Sequence, residues 1–327
     1  MTYVPVVDLS TDVQRVARDL DEICHEIGFF QVVGHGVESA SDDAWTAMCQ
    51  FFALPLEDRM AVRSPTPSYP HGYSPVEAES LGRSLGSDAP PDLKEVFNTG
   101  PVDAPSHPVT DDERIVWSPN LWPAGLPELQ SAWTRYHRAM LGLSNRVMSL
   151  FARALSLPDT YFDDYIDRAA CGLRGICYPA RSAPPGVGQL RAGAHTDYGT
   201  VTFLRQDTVA GLEVLTSDGL WASVEPVPDA FVVNIGDLMA MWTNDRWRST
   251  LHRVTDPPAG PDGHLETRHS MPFFHNANWD ARITCLPTCL TPGQQPTYPP
   301  VTAGPHLRDK FRRTVETAGS NAAGQES

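Results

Sequence analysis

The chain has 327 residues, a length that allows one large domain or two small ones and enough interior to enclose a site. It carries 40 Asp and Glu against 25 Lys and Arg, a formal net charge of −15, and it has no basic run of the kind that follows phosphates. These features argue against a nucleic-acid partner, and the lack of any apolar run near the roughly 20 residues of a membrane span argues against a membrane protein.

The first segment is predicted to alternate strand and helix. Residues 2–9 have strand character, and Ser10 or Thr11 can cap a helix whose apolar side chains then recur at helical spacing. Residues 29–33 are a second predicted strand, and His35 lies in the turn that follows. A lone histidine in a tight turn favours a structural hydrogen-bonding role over metal ligation.

A long stretch of predicted loop comes next. Residues 64–119 are rich in Pro, Ser, Gly and Asp, and a long loop within a compact domain is commonly a lid or a binding loop. Residues 126–157 then carry apolar side chains at spacings of three and four, which predicts a helix. We expect this helix to support a sheet from behind.

The second half of the chain is predicted to be mainly strands. Short apolar runs are separated by Gly, Pro, Asp and Asn, and such punctuation indicates a closed or double-sheet β architecture. The predicted strands are residues 172–178, 200–205, 212–215, 221–224, 231–235, 250–254 and 269–274. A strand after Arg282 and a helix around residues 306–317 are expected to follow, and residues 318–327 have the composition of a mobile tail.

The cysteines are predicted to be reduced. They lack paired Cys-x-x-Cys spacing, and several have apolar neighbours among which a thiol packs as a small hydrophobe. Cys285 and Cys289 are not followed by a second pair with suitable spacing, which argues against zinc. Because the chain also starts without a basic and apolar leader, we expect a soluble, cytoplasmic protein. The six positions are Cys24, Cys49, Cys171, Cys177, Cys285 and Cys289.

Two segments together have the composition of a metal site. Side chains two apart in an extended segment point to the same side, so His195 and Asp197 can face one point. A second segment with strand character brings His252. Two imidazoles and one carboxylate form the facial triad of non-haem Fe(II) oxygenases, although a zinc, nickel or copper ion would bind such a site at least as well.

A third segment adds groups that suit a carboxylate. Arg268 and Ser270 are two apart on an apparent strand and therefore share a face, where a planar cation and a hydroxyl can grip a carboxylate beside the metal. His269 alternates with them and is expected to face away from the site. Asn234 and Asp237 are interpreted as turn residues that support the metal ligands.

These motifs resemble the 2-oxoglutarate- and Fe(II)-dependent oxygenases, in the branch that contains isopenicillin N synthase and the plant flavonoid and gibberellin enzymes. The likeness extends over nearly the whole chain, because residues 4–9, 26–37 and 51–55 also match landmarks of that family. The remaining landmarks are Asp92-Leu93-Lys94-Glu95, His195-Thr196-Asp197, Asn234-Ile235-Gly236-Asp237, His252-Arg253-Val254 and Arg268-His269-Ser270.

The resemblance implies a fold and a reaction. The fold would be a single domain over residues 1–327, mainly β with flanking helices around a distorted double-stranded β-helix, or jelly roll. Within it, residues 1–120 would form the N-terminal strand, helix and lid-loop region, residues 126–157 the support helix and residues 171–290 the core. The reaction would use Fe(II), 2-oxoglutarate and O2, with ascorbate as an accessory reductant, to hydroxylate, desaturate or cyclise a small molecule of secondary metabolism.

The resemblance also assigns the residues of the site. His195, Asp197 and His252 would hold iron, and Arg268, Ser270 and Tyr178 would bind the distal carboxylate of 2-oxoglutarate. One departure from the family is that Ile176 stands where many relatives have an Asn two positions before that tyrosine.

Two alternatives stay open at this point. An Fe(II)-dependent oxidase of the isopenicillin N synthase or ACC oxidase type does not use 2-oxoglutarate, yet it carries the same Arg-x-Ser pair. A non-enzymatic β-sandwich binding protein is disfavoured, because it would have no use for a complete triad and a carboxylate clamp.

Overall fold

Two β-sheets face each other in the computed structural model, which describes residues 3–66, 68–86, 89–182, 185–258, 260 and 263–315. The strands are β1 (Val6–Asp8), β2 (Phe29–Val33), β3 (Gly72–Ser74), β4 (Glu95–Thr99), β5 (Gly172–Tyr178), β6 (Ala192–His195), β7 (Val201–Gln206), β8 (Leu212–Leu215), β9 (Trp221–Ser223), β10 (Phe231–Ile235), β11 (His252–Val254), β12 (Arg268–His275), β13 (Arg282–Ile283) and β14 (Val301–Thr302).

Helices flank these sheets on the outside. They are α1 (Val13–Glu26), α2 (Glu38–Ala53), α3 (Leu56–Met60), α4 (Pro127–Ala154), α5 (Asp163–Ile166), α6 (Asp237–Trp242) and α7 (Ala303–Val315), with 3-10 turns at Leu81–Leu85, Glu113–Ile115 and Pro287–Cys289. No helix in the described part of the chain is both long and apolar enough to cross a membrane. The predicted tail, residues 318–327, lies outside the described residues.

The strand order is that of a jelly roll. The larger sheet runs β1-β2-β10-β7-β12-β5-β4-β3, and the smaller sheet runs β6-β11-β8-β9. Strands β5, β7, β10 and β12 therefore alternate along the chain with strands of the opposite sheet, and all pairings among β5 to β12 are antiparallel. The predicted fold class is confirmed.

The outer face of the larger sheet is covered by α1, α2 and α4. The longest helix, α4, buries an apolar stripe that packs with the outward side chains of the sheet, including Phe203 and Phe273. It ends at Ala154, shortly before Ser156, which has a left-handed φ of 58°. The stripe is Trp133, Tyr136, Met140, Val147 and Phe151.

Two sequence-based expectations for the N-terminal half are wrong. Helix α1 is capped by Asp12, whose side chain accepts from the amide of Arg15 at 2.9 Å. The proposed caps, Ser10 and Thr11, instead hydrogen bond to Asp8. The stretch 64–119 is not loop throughout, because β3 and β4 lie within it and extend the larger sheet beyond β5.

The space between the sheets is apolar over much of its length. Its cluster of buried side chains includes Phe29, Val96, Ile176, Val214 and Val232. Because strand side chains alternate between faces, this interior also receives every second residue of β5, β6, β11 and β12. The polar residues among those positions form the candidate site.

Candidate active site

The two predicted imidazoles lie side by side on neighbouring strands. Strand β6 pairs antiparallel with β11, and the register places His252 opposite His195. Asp197 follows two residues after β6, and its Oδ1 lies 4.0 Å from Nε2 of His195 and 3.9 Å from Nε2 of His252. One ligand atom of each residue lies within 4.8 Å of the other two, which is the spacing of a shared metal ion.

The backbone selects the tautomer of both imidazoles. Nδ1 of His195 lies 2.8 Å from the carbonyl oxygen of Gly193, and Nδ1 of His252 lies 3.2 Å from that of Thr250. A carbonyl oxygen can only accept, so each Nδ1 donates and each Nε2 keeps its lone pair. Metal-binding histidines use this arrangement to fix the ring and present one nitrogen.

The carboxylate of Asp197 is held in the same way. The amide Nδ2 of Asn234 donates to its Oδ2 at 2.7 Å, which leaves Oδ1 facing the two imidazoles. Burial by itself would favour the neutral acid. The two neighbouring histidines and hydrogen bonds from Thr202 and Asn234 outweigh that effect and lower the pKa of Asp197.

The electrostatics favour a neutral imidazole beside this carboxylate. Burial, followed by the neighbouring His252, lowers the pKa of His195 to about 3, and the Lys94 ammonium acts in the same direction. The cluster therefore offers the Nε2 atoms of two imidazoles, whose Nδ1 atoms face backbone carbonyls, and one carboxylate, a donor set that suits Fe(II). The residues fit the metal that the sequence motif predicts.

Asp237 ties together the two segments that carry the imidazoles. Its carboxylate accepts from the Thr196 hydroxyl at 3.2 Å, from the Ser249 hydroxyl at 2.7 Å and from Lys310 of α7 at 2.7 Å. Its backbone amide also donates to the carbonyl oxygen of Asp197 at 2.7 Å. Asn234 and Asp237 thus support the cluster, but neither lies in a turn as predicted, because Asn234 is in β10 and Asp237 begins α6.

The predicted carboxylate clamp consists of buried side chains on the neighbouring strands β5 and β12, beside β7. Arg268 is fully buried and lies opposite Tyr178, with its guanidinium carbon 5.1 Å from the centre of the tyrosine ring. Its Nε donates to the carbonyl oxygen of Val209 at 3.2 Å, and its Nη2 donates to Oε1 of Gln206 at 2.8 Å. Nη1 is buried and has no hydrogen-bond partner among the described residues.

A buried donor of a cationic group without an acceptor is costly, so the Nη1 of Arg268 indicates a site for an anion. Ser270 is buried two residues along the same face of β12, between Ile176 on β5 and Gln206 on β7. The chain therefore lacks an amide at position 176 but places one on the other side of Ser270. Nε2 of Gln206 is also buried without a partner in the described part of the chain.

The histidines that were not predicted to bind metal make other contacts. Nε2 of His35 hydrogen bonds to the carbonyl oxygen of Asp229 at 2.9 Å, and its Nδ1 accepts from the amide of Val37 at 3.2 Å. His269 lies on the outer face of the large sheet, where it packs near Trp45 and Phe52. Both observations agree with the sequence-based interpretation.

Gln206 and Lys94 were not predicted from the sequence to lie near the site. Gln206 ends β7, one residue beyond the predicted strand 200–205, and is identified only by its register with Ser270. The side chain of Lys94 is buried, with its Nζ 2.5 Å from Asp92 and 3.8 Å from Glu79. The motif Asp92-Leu93-Lys94-Glu95 could have drawn attention to Lys94, but in the sequence the motif is only a landmark of the family and does not place Lys94 near the metal ligands.

Two family profiles match the chain. Residues 4–125 match the profile of the N-terminal region of non-haem dioxygenases in morphine synthesis. Residues 170–277 match the profile of the 2OG-Fe(II) oxygenase superfamily. The second match includes the clustered His195, Asp197 and His252 as well as Arg268.

Similar proteins match over most of their length. The chain is 34% identical over 330 residues to the 2-oxoglutarate-Fe(II) type oxidoreductase hxnY of Emericella nidulans, covering 97% of this chain and 92% of that protein. It is 35% identical over 301 residues to the 2-oxoglutarate-dependent dioxygenase citB of Monascus ruber, covering 87% and 88%.

A solved structure has the same fold with a ligand bound. A full-length Neurospora crassa protein in complex with alpha-KG is 29% identical, with a TM-score of 0.82 over 94% of this chain and 95% of that chain. The same Neurospora crassa protein has also been solved with alpha-KG and thymine, at a TM-score of 0.81.

Proposed function

The chain belongs to the 2-oxoglutarate- and Fe(II)-dependent oxygenase superfamily and is a 2-oxoglutarate-dependent dioxygenase, and we propose that His195, Asp197 and His252 hold its iron. Arg268, Ser270 and Tyr178 bind the distal carboxylate of 2-oxoglutarate. When bound, these groups supply the oxidising chemistry, in which O2 and 2-oxoglutarate are consumed, succinate and CO2 are released, and a C–H bond of a small molecule is oxidised.

The observation that carries the proposal is the buried, unpartnered Nη1 of Arg268 in the same interior as a metal-type cluster. Both features direct ligating or donor atoms into one interior, which a purely structural role does not explain. The residues of the chain do little acid-base work in this scheme. They fix two tautomers, orient one carboxylate, grip the co-substrate and line a dry interior.

Two alternatives are less well supported. An oxidase that uses iron without 2-oxoglutarate would also accommodate the Arg268 and Ser270 pair. The relatives named for 2-oxoglutarate, and the Neurospora crassa protein solved with alpha-KG, favour the 2-oxoglutarate-dependent reaction. A non-catalytic binding protein would leave the tautomer-fixed imidazoles without a use.

The finer assignments form part of the same proposal. We propose a small molecule of secondary metabolism as the substrate, a place in the isopenicillin N synthase-like branch and a cytoplasmic location. The N-terminal profile, which describes dioxygenases in morphine synthesis, supports the first of these. We also propose a single domain over residues 1–327, in which the N-terminal region to residue 120 covers the core of residues 171–290.

Anaerobic loading tests the proposal directly. Fe(II) and 2-oxoglutarate added together should give a visible charge-transfer band, and admission of O2 should then release succinate slowly even without the true substrate. Asp197→Ala should abolish iron binding and both signals. Retention of metal and succinate release by Asp197→Ala would show that the cluster is not the metal site.

A further inference from the structure

The segment Asp92–Glu95 has no role in the proposed reaction, yet its first residue lies close to a proposed metal ligand. Asp92 is buried, with only 2% of its surface exposed. Its Oδ1 accepts from the amide of Gly193 on β6 at 2.8 Å. Gly193 is also the residue whose carbonyl oxygen accepts from Nδ1 of His195 at 2.8 Å.

Asp92 therefore acts at a flexible point of the backbone. A glycine has more conformational freedom than any other residue, so its amide and carbonyl directions need external constraint. No other residue fits at position 193, because a Cβ there would lie 2.7 Å from the amide nitrogen of Gly82 and 3.3 Å from Oδ1 of Asp92. Holding the amide of Gly193 consequently helps to hold the carbonyl that orients the His195 ring.

A carboxylate is the side chain that the remaining contacts of Asp92 require. Its Oδ2 accepts from the amide of Leu81 at 3.0 Å and from Nζ of Lys94 at 2.5 Å. Three donors thus converge on two acceptor oxygens. An Asn would offer one oxygen and turn an NH2 group toward a donor, and an Ala would leave buried donors unpaired.

We infer that Asp92 is a positioning residue for the metal ligand His195, and that it couples the 3-10 turn Leu81–Leu85 to the metal site. This inference rests on the proposed function, because it takes His195 as a ligand. The turn packs on β6 at Gly193, and Asp92 bonds to both of them. Ordering of the metal site and ordering of the turn should therefore occur together.

The test compares Asp92→Asn and Asp92→Ala with Glu95→Gln. Glu95 is the other buried carboxylate of the segment, but it bonds to Arg59 and Tyr73 rather than to β6. Co(II) is the probe, titrated by its visible spectrum. Loss of a residue that orients a metal ligand typically weakens metal binding 10- to 100-fold, so we expect about that loss for Asp92→Ala, about 10-fold for Asp92→Asn and wild-type affinity for Glu95→Gln.

Metal-free melting temperatures separate positioning from general destabilisation. A purely structural role would lower the melting temperature of the Asp92 variants and leave their Co(II) affinity unchanged, and that result would overturn the inference. Asp197→Ala is measured in parallel. If it keeps Co(II), the proposed function fails. If it loses Co(II) while Asp92→Asn binds normally, only the inference fails.

Hydrogen exchange on the wild-type protein gives an answer even if the Asp92 variants do not fold. Adding Co(II) should slow exchange at the amides of Gly193 and Leu81 together, because one carboxylate accepts from both. Protection that reaches Gly193 but leaves Leu81 unchanged would refute the coupling of the turn to the metal site.

Discussion

Replacement of Arg268 tests the co-substrate assignment most sharply. Arg268→Lys keeps a positive charge but removes the planar fork, and Arg268→Ala removes both. In the folded chain Nε and one hydrogen of Nη2 bond to Val209 and Gln206, so Nη1, which has no partner among the described residues, is the main donor for a ligand. A lysine cannot satisfy those two acceptors and also reach a carboxylate with fixed geometry.

The expected loss follows from the strength of one charged hydrogen bond in a buried site. Such a bond contributes about 1.5–3 kcal/mol, which corresponds to a dissociation constant about 10- to 150-fold higher. We expect Arg268→Lys near the lower limit and Arg268→Ala at or above the upper limit. Because Ala also leaves the oxygens of Val209 and Gln206 without their donor, it should lower the melting temperature of the free protein as well.

Anaerobic titration of 2-oxoglutarate into the Fe(II)-loaded protein, followed by its charge-transfer band, measures these constants. Arg205→Lys is the matched control, since Arg205 lies on β7 but points to the outer face, where it pairs with Asp42 at 2.8 Å. A wild-type constant for Arg268→Lys would refute the pocket assignment. If wild-type protein holds one iron per chain but gives neither band nor succinate, the oxidase alternative is favoured, and Arg268 and Ser270 would be reassigned to the carboxylate of the primary substrate.

Three further predictions concern the metal ligands, the thiols and the response to acid. His195→Ala and His252→Ala should each lose iron, measured as metal per chain. His35→Ala and His269→Ala should keep it, and loss of iron from either would mean that the metal ligands were assigned to the wrong histidines. Thiol titration of protein unfolded without reductant should find six free thiols, because all six cysteines are unbonded in the structure. A disulfide present before any air oxidation would contradict the cytoplasmic proposal. Burial lowers the pKa of His137 from 6.5 to about 4, so the folded protein favours the neutral ring. The free energy of unfolding should therefore be highest above pH 6.5 and should fall by on the order of 3 kcal/mol as the pH drops toward 4. His137→Gln can still donate to the carbonyl oxygen of Cys171 without titrating, so urea unfolding should show a shallower loss between those pH values; an unchanged slope would exclude His137 as the cause.

The strands of the core were predictable because their ends are marked in the sequence. Strands β5, β8 and β10 have the bounds expected from apolar runs between Gly, Pro, Asp and Asn. Helix α2 was missed because the first part of its buried face consists of small residues, Ser41, Ala44 and Ala47, and because its first residue is preceded by Val37, which offers no capping side chain. Its large buried side chains, Met48, Phe51 and Phe52, come only near its end, so they mark too short a segment to predict the whole helix.

The metal cluster was predictable because its signal is local. His195 and Asp197 are two apart in an extended segment, and His252 lies in a predicted strand. The residues that orient them come from other strands, as Asn234 does for Asp197 and Asp92 does for Gly193. Such contacts depend on sheet register and on which segment crosses the site, and a single sequence does not encode either in a recognisable local pattern.

Ile176 in place of a polar residue has a consequence for how the enzyme responds to ionic strength. Its side chain packs in the apolar cluster with Val96 and Val232, and it lies opposite Ser270, two residues from Arg268 on β12. At 0.1 M salt, mobile ions largely screen interactions between exposed charges that are more than about 10 Å apart, but they screen buried pairs much less. The affinity of the Arg268 site for a carboxylate should therefore change little between dilute buffer and high salt. The enzyme can thus retain its co-substrate at salt concentrations that would release a ligand bound by surface charges.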